Sequence, residues 1–95
     1  MIEKRGDGLR VSGQMLIAGA TSLLESGRRL LTSGGGDVVF DLSDVEETDS
    51  SALSVIFGWL RTAKSLGVRV RIVNPPASMI SLAALYGVSE SLPLA

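Results

Sequence analysis

Apolar and polar positions along this chain change period several times, and each change marks an element. Ile2–Arg5 and Leu9–Ser12 are short runs flanking Gly6-Asp7-Gly8, a tight-turn signal, which predicts a β-hairpin at a sheet edge with Leu9 and Val11 pointing inward. From about Ala20 to Thr32, Leu23, Leu24, Leu30 and Leu31 recur at helical spacing with Glu25, Arg28 and Arg29 between them. That spacing predicts an amphipathic helix that tolerates Gly27, with Thr21 as a candidate cap. Gly34-Gly35-Gly36 follows a helix and precedes a strand, the reverse of the order in a phosphate-binding loop, so it reads as a helix stop and turn.

Asp37–Leu42 and Val68–Val73 are short β-branched runs with one helical pattern between them, which predicts a βαβ unit with the two strands parallel. In Val68-Arg69-Val70-Arg71-Ile72 the arginines alternate with apolar residues, as expected near a sheet edge with one wet face. Asn74-Pro75-Pro76 ends that strand, and Ala77 to Tyr86 reads as a last helix closed by Gly87. The expected architecture is a single α/β domain over residues 1–95. It has a mixed sheet that begins with a hairpin and is covered mainly on one face by helices near 21–32, 50–66 and 77–86.

The helix expected over Ser50–Leu66 carries two distinct faces. Leu53, Ile56, Trp59, Leu60, Ala63 and Leu66 fall on one broad arc, the width of a helix packed on a sheet, so Trp59 reads as a packing residue. Ser50, Ser54, Phe57, Arg61 and Lys64 are spaced by four, three, four and three residues and share the neighbouring face. That face is polar and basic with one exposed aromatic in its middle, and exposed aromatics often anchor interfaces. Asp49 precedes it as the expected cap, offering side-chain oxygen to the first free N–H groups, and Ser50 and Ser51 place hydroxyls at the helix mouth. Asp49, Ser50, Ser51, Ser54, Phe57, Arg61 and Lys64 are thus the candidate partner-binding residues.

Upstream of the cap, Asp41, Asp44, Glu46, Glu47 and Asp49 put five carboxylates within nine residues. Their spacing matches no metal-ligand pattern, so Ser43–Thr48 reads as a solvated acidic loop that could complement a basic partner.

Composition narrows the functions available. The chain has no Cys and no His, which removes thiolate chemistry and the commonest general base and metal ligand. No catalytic residue, metal or cofactor is expected. A net charge of −1 and four aromatic residues give neither a basic footprint nor stacking platforms for nucleic acid. The longest apolar stretch, Met15–Ala20, is far shorter than the ~20 residues of a membrane span, and no secretory signal opens the chain, so a cytoplasmic protein without direct membrane insertion is expected.

The run Asp41-Leu42-Ser43, the motif Asp49-Ser50-Ser51-Ala52-Leu53, and the order strand, loop, motif, helix, Gly67, strand resemble the STAS domain family. Members of that family place a Ser or Thr after an Asp at the start of this helix. Leu9-Arg10-Val11-Ser12-Gly13, Leu82-Ala83-Ala84-Leu85-Tyr86-Gly87 and Leu92-Pro93 are most similar to the cytoplasmic STAS subunits of Mla-type phospholipid-transport ABC complexes. The resemblance implies a non-catalytic subunit that docks through the Ser50 face on the transporter's ATPase subunit. The alternative it implies is an anti-sigma factor antagonist, switched when a partner serine kinase phosphorylates Ser50. Ala52 stands where many anti-sigma factor antagonists have Gly.

Overall fold

The computed structural model describes residues 1–6, 8–32 and 36–94. Its elements are β1 (Ile2–Arg5), β2 (Gly8–Met15), α1 (Ala20–Thr32), β3 (Asp37–Thr48), α2 (Ser50–Leu66), β4 (Arg69–Val73) and α3 (Ala77–Leu85), with short 3-10 turns at Ile17–Gly19 and Ser89–Ser91. One sheet has the strand order β1-β2-β3-β4, antiparallel between β1 and β2 and parallel thereafter. Because the order advances in one direction, crossovers of one hand carry α1 and α2 to the same face. Alternation within the strands agrees: Leu9, Phe40 and Ile72 are paired across β2, β3 and β4 and all buried, while the next row, Arg10, Asp41 and Val73, lies on the uncovered face. There Arg10 reaches Asp41 at 3.4 Å and Asp44 at 3.5 Å.

The α/β class, the hairpin, the parallel βαβ unit and β4 at the sheet edge agree with the sequence pattern. The middle of the Gly6-Asp7-Gly8 turn and Gly34-Gly35 of the glycine run lie outside the described residues.

Four expectations are corrected. Ser43–Thr48 is not a loop: β3 runs on to Thr48, paired with a β2 that itself extends past Ser12 to Met15. Register shifts between Arg10 and Ser12 and between Gly13 and Gln14 let β3 accommodate extra residues as bulges, and buried Val45 anchors the extension. Thr21 caps nothing, because α1 already begins at Ala20, continuous with the preceding 3-10 turn. Leu66 is 45% exposed instead of core, since it lies in the last turn of α2 beyond the apolar layer, where Gly67 stops the helix in the left-handed conformation. The buried arc of α2 is also wider than expected: Ala52, Val55 and Gly58 are buried along with Leu53, Ile56, Trp59 and Ala63. The extra flank packs against α1, where Gly58 meets Leu24.

Phe40 and Trp59 stack with ring centroids 4.4 Å apart at the centre of the core. The indole Nε1 donates to the carbonyl of Leu24 at 3.1 Å, so the one polar atom of the largest core side chain is satisfied by α1. These contacts fix the rotation of α2, and with it the direction of its free face.

Candidate functional site

The site is built where β3 delivers the chain into α2. Asp49 is extended, and its Oδ1 accepts from the Ser51 N–H at 2.8 Å while Oδ2 accepts from the Ile17 N–H at 3.0 Å. The carboxylate therefore caps α2 and also ties the turn after β2 to the helix mouth, a second role that sequence alone did not reveal. Both hydrogen bonds favour the ionised form, and Asp49 is held below its ordinary value of 3.8, chiefly by the Ile17 N–H and further by Ser51. On the other side of the mouth, the Thr48 and Ser78 hydroxyls are 2.6 Å apart, joining the end of β3 to the start of α3.

From this anchored end, Ser50, Ser54, Arg61 and Lys64 are all exposed along one face of α2, as the spacing predicts, and Ser51 is half-buried beside Asp49. The Ser50 hydroxyl makes no hydrogen bond to any described residue. Phe57 differs from expectation: it is half-buried, packed against the edge of the core instead of standing free. The segment after α3 brings Val88 to the same edge of the core, where it lines the same hollows as the ring.

The result is a groove where the sequence suggested a flat stripe. One part, about 370 Å³, is lined by Ser50, Ser51, Leu53, Ser54, Phe57, Tyr86 and Val88. A second, about 440 Å³, continues past Phe57 and Val88 to Leu60, Arg61, Lys64 and Ser91. All the candidate residues on α2 thus line one depression, with Asp49 at its head as support. Sequence reasoning missed the opposite wall, Tyr86 and Val88. No local signal marks it: Leu85, 76% exposed, and Tyr86, 58% exposed, form an apolar surface only once the chain is folded.

Such an arrangement can hold a ligand by hydrogen bonds, apolar contact and charge. It offers hydroxyls at a helix N-terminus, an aromatic floor and two cations, and among the described residues no cluster of acidic side chains could hold a metal ion. No helix among them is long and apolar enough to cross a membrane.

Comparison with known proteins places this geometry in a family. A family model described as the Mlab, STAS domain matches residues 2–94. The intermembrane phospholipid transport system binding protein MlaB of Haemophilus influenzae is 36% identical over 53 residues, covering 56% of this chain and 50% of that protein. The chain therefore matches about half the length of that curated relative. Among solved structures, an anti-sigma factor antagonist from Mycobacterium paratuberculosis superposes with a TM-score of 0.75 at 22% identity, over 99% of this chain and 81% of that one. The Bacillus cell fate determinant SpoIIAA in its phosphorylated form gives 0.69 at 14% identity, over 100% and 89%. At those identities the likeness establishes the fold alone. With the family model spanning nearly every residue, the chain belongs to the STAS domain family of the Mlab type.

Proposed function

We propose that this chain is a non-catalytic STAS subunit that docks through the α2 groove on the ATPase subunit of an Mla-type phospholipid ABC transporter, at the cytoplasmic side of the membrane, and sets that ATPase's stability or activity. The observation that carries the reading is the groove itself: a half-buried aromatic flanked by exposed Ser50, Ser54, Arg61 and Lys64 on a helix locked by its core, in a chain that matches the Mlab STAS model. A pre-shaped face of this kind binds without first being ordered, which lowers the cost of association. The absence of Cys and His supports a role without catalysis. Co-purification with the ABC ATPase encoded beside this chain's gene tests it. Folded Phe57→Ala and Ser50→Glu variants should lose the ATPase, the first by removing contact area and the second by adding charge to a close-packed surface. Wild-type binding by both variants would refute the docking face.

A second reading, an anti-sigma factor antagonist switched by a partner serine kinase, is favoured by one observation: the Ser50 hydroxyl is exposed and unbonded at the N-terminus of α2. A phosphate there would add about −1.5 to −2 charges, which the helix end favours and the carboxylates of Glu46, Glu47 and Asp49 oppose. Phosphate on Ser50 in cells, found by mass spectrometry, together with a serine kinase gene beside this one, would select this reading over the first.

A further inference from the structure

The second half of the groove differs in chemistry from the first. Its floor is apolar, formed by Phe57, Leu60 and Val88, and its far end is flanked by Arg61 and Lys64. Arg5, Arg10, Arg28 and Arg69 have carboxylate partners within this chain, while Lys4, Arg29 and Arg71 have none among the described residues but do not line this groove. The Arg61 guanidinium and the Lys64 ammonium also have none among the described residues, and they line it. Residues 77–89, which form α3 and the facing wall, contain no charged residue at all, and Glu90 pairs with neither cation. The groove thus ends in two uncompensated positive charges one helical turn apart.

Resting on the docking role proposed above, we infer that the groove receives an acidic amphipathic segment of the ATPase subunit. Its apolar side chains cover Phe57 and Val88, and its carboxylates pair with Arg61 and Lys64. A small free anion would make no use of the apolar floor, whereas a polypeptide with carboxylates next to an apolar anchor satisfies both parts. Bringing Arg61 and Lys64 under a partner without such carboxylates would desolvate two cations for no return.

The test measures binding of this chain to the purified cognate ATPase subunit by titration calorimetry at low and high salt. It compares the wild type, the double variant Arg61→Glu with Lys64→Glu, and Lys4→Glu, which reverses an exposed charge on β1 away from the groove. Circular dichroism checks that all three are folded. The double variant should bind about tenfold or more weakly and lose most of the salt dependence, while Lys4→Glu stays within about twofold of wild type. Wild-type affinity in the double variant overturns the inference and leaves the docking role standing. Equal weakening by Lys4→Glu overturns it too, because the effect would then be one of overall charge. If the double variant instead loses binding to vesicles containing anionic lipid while keeping the ATPase, these cations serve a membrane surface and the inference fails. No binding of the ATPase by the wild type overturns both.

Discussion

Gly27 and Trp59 occupy each other's space: a Cβ on Gly27 would fall within the van der Waals radii of Nε1 and Cε2 of the indole. The missing side chain lets α1 lie directly against the ring, so that the carbonyl of Leu24 accepts its N–H while Phe40 stacks on the indole. A glycine that weakens α1 as a helix is thereby the condition for its packing.

Gly27→Ala should therefore destabilise the fold by about 1–3 kcal/mol, the usual range for overpacking, even though alanine gains about 1 kcal/mol of helix propensity. Gly58→Ala should cost less, because its added Cβ meets the flexible end of Leu24, Cδ1 at 2.6 Å, and not a fixed ring. Urea unfolding of both variants gives the ranking, and equal stabilities would contradict the packing described.

Along α2, stability and docking should separate. Leu53→Ala opens a cavity in the core and should cost roughly 2–5 kcal/mol. Ser50→Ala should leave the melting temperature nearly unchanged, since its hydroxyl bonds to nothing described. Asp49→Ala should fall clearly below Ser50→Ala in thermal stability, because it releases both the Ser51 and the Ile17 N–H groups.

Acid should weaken the fold through two carboxylates. Asp41 is held below 3.8, first by the Ser43 N–H and then by the Asn74 side chain, and Asp49 is held below it by the Ile17 and Ser51 N–H groups. In the window between the lowered folded values and the ordinary one, the unfolded chain binds more protons, so stability rises with pH. Their contribution is fully present above about pH 4–5 and is lost as pH falls through the folded values. An Asp41→Asn, Asp49→Asn double variant should be less stable than wild type at neutral pH and lose less on acidification. Parallel stability curves would show that these two groups do not carry the acid sensitivity.

The fold was legible where apolar residues kept a clean period: the β1–β2 hairpin, the parallel pair β3 and β4, and all three helices. It was illegible over Ser43–Thr48, because two bulges break the two-residue alternation and the acidic side chains there are compatible with a loop. Val45 was the single apolar hint of a strand. The polar face of α2 could be read from spacing, since spacing alone aligns Ser50 with Lys64. Its depth could not, because Val88 and Tyr86 join Phe57 around one cavity only through the course of the chain after α3, a juxtaposition across about thirty residues that no local pattern encodes. The double use of Asp49 was hidden for the same reason: Ile17 is its neighbour in space only.

The extension of β3 to Thr48 gives the groove a direction. Glu46 and Glu47 stand on the strand end that leads into Ser50, and Arg61 and Lys64 close the opposite end, so negative and positive charge lie at the two poles of one helix. A segment seated with its carboxylates at the Ser50 end meets Glu46 and Glu47 and leaves Arg61 and Lys64 unpaired, so the error costs twice. Orientation on this surface is a matter of polarity as much as of shape: the carboxylates of a docked segment belong at the Lys64 end, and its uncharged or basic residues at the Ser50 end.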